Sequence, residues 1–270
     1  MKRLDFVLLL LVISIFSGCA TNNLETTHVL ALDSLKNNSV VVTQDSSEDE
    51  FLSEFEEEME VEEVYDPLFK YNKFMTNVND NLYVYLLKPV SNGYKEVVHV
   101  SIRDSVNNFF HNILYPIRLV NNVLQGKFSN SVEETQRFAL NTTVGLFGFF
   151  DPANEYYKLE KHNEDFGQTL GHYGVKSGFH IVLPIFGSSN LRDVISIYPD
   201  SYLNPAIYMD ERSWNLVNNR NDSILLKAYK TVNYTSTNSK QYDDLRKDAV
   251  ELYPFLRDVY EQYRDNLIKE

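Results

Sequence analysis

The sequence predicts a mostly α-helical domain, and three observations carry that reading. Apolar side chains recur at helical spacing through most of the chain beyond residue 65, helix-starting Asp, Ser and Pro and helix-ending Gly and Pro punctuate them, and strand-like alternation is confined to "FHIVLPIF". "DPLFKYNKFMTNVNDNLYVYLLKP" offers Asp66 as N-cap and Pro67 as first helical residue, apolar positions at 68, 71, 75, 78, 82 and 86, and a stop at Pro89. Ser101 and Asp104 open "SIRDSVNNFFHNILY" as a capping box, Pro116 starts "PIRLVNNVLQG" with Gly126 as its stop, and Ser131 with Glu134 caps "SVEETQRFALNT". Further helices are predicted over 189–198, 211–229 and 239–268, the last bent at Pro254.

Ahead of this domain the chain has a different character. Lys2 and Arg3 lead into an apolar run from Phe6 to Phe16, too short to span a bilayer and laid out as a secretory signal. Ser17 and Gly18 stand directly before Cys19, the only cysteine, and "FSGC" resembles the lipobox of bacterial lipoproteins. That resemblance implies a signal peptide over 1–18, a diacylated Cys19 as the mature N-terminus and, with Ala20 rather than Asp after it, an outer-membrane destination. No thiol is then left for a disulfide or a zinc–thiolate cluster.

The net charge of −13 is concentrated before the fold. Residues 44–63 carry eleven acids and no base, whereas residues 64–270 hold 22 Lys+Arg against 24 Asp+Glu. Repulsion in such a run opposes compaction, so residues 19–64 read as a lipidated N-terminus and acidic tether with an r.m.s. span of roughly 35–40 Å. Phe51, Leu52, Phe55 and Met59 fall at helical spacing, which leaves a partner-binding helix as a second reading of the same segment.

Three uncharged stretches, residues 105–117, 138–150 and 177–191, measure roughly 20–22 Å if helical, enough to enter one leaflet of a bilayer whose hydrocarbon core is roughly 30 Å thick. The competing reading is a set of buried core helices. "HNEDFGQTLGHYGVKSG", residues 162–178, gathers two histidines, two carboxylates and four glycines. It lacks the His i,i+4 pair of helical zinc motifs, and Asp165 with Gln168 suits a helix cap, so no metal is expected. The chain has no G-x-S-x-G elbow, H-E-x-x-H, P-loop or dinucleotide fingerprint, so neither an enzyme nor a cofactor is expected; a set assembled from His172, Asp193 and Ser188 is the catalytic alternative. No nucleic-acid partner is expected of this chain.

"DPLFKYNKFMTNVNDNL", "KPVSNGYKEVV", "VNNFFHNILYPIRLVNNVLQGKF", "RFALNTTVGLFGFFDPA", "HNEDFGQTLGHYGV", "VLPIFGSSNLRD" and "LYPFLRDVYEQYR" resemble, in order, motifs of the MlaA (VacJ) family of outer-membrane lipoproteins over about residues 65–264. Lys70, Tyr71 and Phe149 depart from the common pattern. The resemblance implies that residues 65–270 form a single ring-like helical domain lying in one membrane leaflet around an amphipathic central channel, beside a trimeric porin. It implies that phospholipids misplaced in the outer leaflet pass through the channel to a soluble periplasmic carrier, which maintains lipid asymmetry. Asn72, Asn77, Asn79, Asn107, Asn108, Asn121 and Asn122, set among apolar neighbours, are the candidate channel lining, with helix capping as their alternative use. Gly171, Gly174 and Gly178 bound a candidate hinge loop beside the channel. A porin scaffold without transport, and an envelope lipid hydrolase, are the alternatives.

Overall fold

The computed structural model describes residues 65–210 and 212–270; Cys19, the signal and the acidic tether lie outside them. Helix α1 (Phe69–Leu82) continues through a π-helical segment (Tyr83–Leu87) into α2 (Lys88–Val97). The predicted stop at Pro89 is thereby corrected. Pro89 has no N–H and its ring crowds the carbonyl one turn back, and the wider turn before it, in which Lys88 N–H donates to Tyr83 O, absorbs that conflict. Asp66 caps nothing; its carboxylate accepts from the Asn72 amide at 3.2 Å and from the Tyr253 hydroxyl.

Helix α3 (Val100–Ile113) begins two residues before the predicted box, capped by His99, whose Nδ1 accepts from Ser101 N–H at 3.3 Å. Helix α4 (Tyr115–Leu124) starts around Pro116 and gives way to Gly126 at φ +74°, as predicted. Helix α5 (Phe128–Thr143) starts ahead of Ser131, whose hydroxyl donates back to Lys127 O, while Glu134 turns inward instead of capping. Then come α6 (Pro152–Tyr157), α7 (Phe166–His172), the antiparallel hairpin β1 (His180–Leu183) and β2 (Gly187–Asn190), α8 (Leu191–Leu203), α9 (Arg220–Asp248) and α10 (Leu252–Lys269). In the hairpin His180 pairs with Asn190 and Leu183 with Gly187. The helix predicted over 239–268 is two helices: the chain is extended at Ala249 and Glu251, and Pro254 falls in the first turn of α10, where a missing N–H costs nothing.

The packing closes a circuit. Helix α9 lies against α2 and α3, α3 against α4 and α5, α4 against α7, α7 against α8 and α10, and α10 against α1, with the hairpin seated between α1, α8 and α10. No helix among the described residues is long and apolar enough to cross a membrane.

Polarity inside and outside this ring is inverted. Among the described residues the buried apolar side chains are Val106, Phe110, Ala153, Val182 and Tyr253, whereas 28 polar or charged ones are buried, including Glu134, Arg137, Asn72, Asn121 and Asn233. Phe74, Tyr85, Val97, Phe147 and Ile185 are each more than 60% exposed. Water-borne folds bury their large apolar residues and leave charges outside. A surface that meets hydrocarbon reverses the preference, because a polar group facing lipid has no water to bond and must find its partner within the protein.

Candidate functional site

A cavity of about 310 Å³ opens between α4, the start of α7, the hairpin, α8 and α10. Its apolar walls are Ile117, Leu183, Phe186 and Ile197; its polar floor holds Asp165, Asp193, Asp200, Tyr260 and Arg264 with several serines. Each polar group is set by local structure. Asp165 caps α7, its Oδ1 accepting from Gln168 N–H at 2.8 Å, and Asn190 caps α8 in the same way through Asp193 N–H at 2.9 Å. Arg264 then ties the two helix starts together: its Nη1 and Nη2 donate to Asp165 at 2.7 and 2.8 Å, and its Nε lies 2.8 Å from Asp193 Oδ2. Tyr260 adds a 2.7 Å hydrogen bond to Asp193. Burial opposes these charges, but the Arg264 bonds still hold the Asp165 carboxyl below its usual range, and Asp165 and Asp193 raise the guanidinium. Gly167 makes the approach possible, because a Cβ there would lie 2.2 Å from Asp193 Oδ1.

Asp200 differs. It accepts from Phe166 N–H at 3.1 Å and from the Asn121 amide at 3.2 Å, and no basic nitrogen among the described residues lies within salt-bridge distance. Burial, with the nearby Asp165 charge, pushes its carboxyl up to about 6. Outside the cavity lining, Lys227 of α9 places its Nζ 3.4 Å from the centroid of Phe186, and Lys230, one turn on, stands 5.9 Å from that of Phe110. Burial lowers both ammonium groups, and Lys227 and Arg118 lower Lys230 further.

The seven asparagines divide. Asn72, Asn121 and Asn122 are fully buried, which corrects their reading as channel lining. Asn72 accepts from Val182 N–H at 2.8 Å and donates to His180 O at 2.9 Å, and Asn79 accepts from Ile185 N–H and donates to Leu183 O. Together they complete the free edge of β1 from α1. Asn107 bonds to Asn233 and Thr237 and so joins α3 to α9, while Asn122 donates to Arg118 O and His162 O. Asn121 meets the cavity only through Asp200. Asn77 is exposed and Asn108 half-buried.

Of the glycines, Gly174 and Gly178 adopt φ of +84° and +73°, which non-glycine residues resist. Gly171 does not: it lies inside α7, where a Cβ would meet Ile268 at 2.5 Å, so it serves close packing against α10 and not a hinge. The polar residues of 162–165 diverge, His162 to Glu133, Glu164 to Lys127 and Asp165 to Arg264. Asp193 is spent on Arg264 and Tyr260, and its hydrogen bonds among the described residues do not include His172 or Ser188.

Sequence reasoning missed Asp200, Tyr260 and Arg264. One signal was present: Tyr253, Arg257, Tyr260 and Arg264 recur at four- and three-residue steps, a polar stripe on one face of α10, and all four reach inward to Asp66, Asp193 or Asp165.

A ring of helices too short or too polar to span a bilayer, apolar outside and hydrogen-bonded inside around an amphipathic cavity, defines a class: a helical protein built to present polar groups within a lipid phase. The particular family follows from comparison. Residues 64–267 match the profile of the MlaA lipoprotein family, and the chain belongs to it. It is 37% identical over 155 residues to a protein of Rickettsia typhi, covering 57% of this chain and 61% of that one. It is 39% identical over 133 residues to the intermembrane phospholipid transport system lipoprotein MlaA of Escherichia coli K12, covering 47% of this chain and 52% of that one, so the matched parts span about half to three fifths of these relatives. A solved structure described as the structural basis for maintenance of bacterial outer membrane lipid asymmetry superposes with a TM-score of 0.62 at 29% identity, covering 75% of this chain and 98% of that one.

Proposed function

We propose that this protein is an outer-membrane lipoprotein that takes phospholipids misplaced in the outer leaflet and passes them to a soluble periplasmic carrier. The observation that carries the reading is the inverted polarity of the ring around an amphipathic cavity. An apolar exterior lets the domain sit in one leaflet without spanning it, and the polar interior gives a headgroup hydrogen-bonding partners in place of the water it leaves, which lowers the barrier to its passage. The cavity volume is at the small end of the roughly 300–1,000 Å³ typical of ligand sites, so it takes a headgroup while acyl chains follow apolar walls.

In this reading Cys19 carries the lipid anchor, residues 1–18 are removed, residues 19–64 tether the domain, and a trimeric porin stands beside it. The remaining asparagine candidates, Asn77 and Asn108, and the loop from Tyr173 to Gly178 face the lipid path. The work done is transfer, with no bond made or broken. The test is reconstitution of the full-length lipidated protein into asymmetric vesicles, with the carrier added, scoring extraction of labelled phospholipid from the outer leaflet. Extraction that depends on both proteins supports transfer; porin binding without extraction would make the protein a scaffold.

A further inference from the structure

We propose that the loop from Gly145 to Phe150, between α5 and α6, is a wedge that inserts among the acyl chains of the leaflet and sets the depth of the ring there; this rests on the reading that the domain lies in one leaflet and adds the contact that holds it. The loop turns its apolar side chains outward. Leu146, Phe147, Phe149 and Phe150 are exposed, as is Val144 just before them, and the Phe149 ring stacks on Phe109 of α3 at 5.0 Å. Leu146 and Phe147 hold φ of +51° and +61°, a left-handed backbone that side chains with a Cβ rarely adopt, so the chain accepts strain at two successive residues to hold them out. Asn112 of α3 fixes the tip: it is buried, donates to Phe147 O at 3.4 Å and fills the space that a Cβ on Gly148 would need.

A loop that enters hydrocarbon has to find partners for its backbone within the protein, and six N–H groups of this segment do. Those of Val144 and Gly145 donate to Leu140 O, Phe147 to Thr142 O, Gly148 to Asn141 O, Phe149 to Leu146 O and Phe150 to Gly145 O, at 2.8–3.3 Å. Charge is kept back as well. Residues 138–150 carry none, and the charges that bracket them, Arg137 and Asp151, bond each other inside the protein at 2.8 Å. The side chains favour lipid over a protein partner. Protein interfaces draw most of their binding energy from Trp, Tyr and Arg, and residues 144–150 contain none of these. The next exposed aromatics along the chain, Tyr156 and Tyr157, carry the hydroxyls that suit headgroup level, whereas leucine and phenylalanine bring no polar group to be left unpaired among acyl chains.

The test places an environment-sensitive fluorophore on the Val144→Cys variant of the full-length lipidated protein, in vesicles of phospholipid alone; Cys19 carries the lipid, so the introduced thiol is the single attachment point. Nitroxides near the ends of the acyl chains are expected to quench the probe more than nitroxides near the headgroups, and aqueous iodide is expected not to reach it. The same fluorophore on Lys247→Cys, at an exposed charged position near the end of α9, is the control and is expected to be quenched by iodide alone. Leu146→Asn combined with Phe147→Asn puts polar side chains where asparagine tolerates the left-handed backbone, and is expected to reverse the order of the two nitroxides at the Val144 probe with helicity unchanged. An unchanged order in that double variant overturns the role of the loop tip. A wild-type loop open to iodide in lipid, and shielded only when porin is added, makes the partner a protein and overturns the wedge; shielding that grows with the number of protein copies per vesicle does the same for a second copy of this chain. If the loop is open to iodide while the carrier still extracts lipid from the same vesicles, the wedge falls and transport stands. If the loop is immersed and no lipid is extracted, transport falls and the wedge stands.

Discussion

Asn72→Leu replaces a fully buried amide with an apolar side chain of similar size, and its cost follows from the bonds on the page. Asn72 accepts from Val182 N–H at 2.8 Å and donates to His180 O at 2.9 Å and to the Tyr253 hydroxyl at 3.0 Å. Val182 is 1% exposed, so its N–H would be left without protein or water, a penalty of about 1–3 kcal/mol. The two donated bonds add about 1 kcal/mol each, for a total loss of about 3–5 kcal/mol, a large share of the roughly 5–15 kcal/mol that stabilises a domain. Unfolding of the detergent-solubilised protein, followed by far-ultraviolet circular dichroism against urea, measures it. Asn77→Leu, at an exposed position of the same helix, is the control and is expected to shift stability by about 0.5 kcal/mol or less. If Asn72→Leu costs less than about 1 kcal/mol while lipid extraction stops, Asn72 faces the lipid path after all and the structural role is refuted.

The other expectations concern charge, anchorage and the loop. Asp200 has a folded-state pKa near 6 against 3.8 for the ordinary side chain, so the stability it contributes is complete below about pH 4 and lost as pH rises through 6, a change of up to about 3 kcal/mol. Asp200→Asn is therefore expected to gain stability relative to the wild type between pH 4.5 and pH 7.5 in unfolding titrations; an equal difference at both pH values rejects the assignment. Cys19→Ser is expected to abolish fatty-acid incorporation and membrane fractionation while the helical domain still folds, and undiminished labelling of the variant defeats the lipobox reading. A disulfide engineered between the Tyr173–Gly178 loop and a neighbouring helix is expected to slow lipid extraction until it is reduced, because Gly174 and Gly178 sit where the backbone turns through positive φ. Equal rates with the bridge closed make that loop a static turn.

The sequence by itself determined the helical class, α4 between Pro116 and Gly126, the Asp165 cap of α7 and the β character of 180–183. These rest on local chemistry: proline geometry, a carboxylate three residues from an open N–H, and side-chain alternation act within a turn or two and are written in consecutive residues. Family membership was legible for a related reason, since seven short motifs in order survive without any knowledge of how they meet. The tertiary structure alone decided what the polar residues do. Helical phase assigns Asn72, Asn121 and Asn122 to a face but not to what that face meets, and the face proved to be the inside of the protein, against β1, Asp200 and the chain at His162. Glu134 looked like half of a capping box because a carboxylate three residues after a serine does cap helices, yet Arg118, sixteen residues away, competes for it with a buried ion pair at 2.7 Å. The cavity was beyond the sequence for the same reason. Asp165, Asp200 and Arg264 lie as many as 99 residues apart and converge only when the ring closes, so their meeting is a property of the fold.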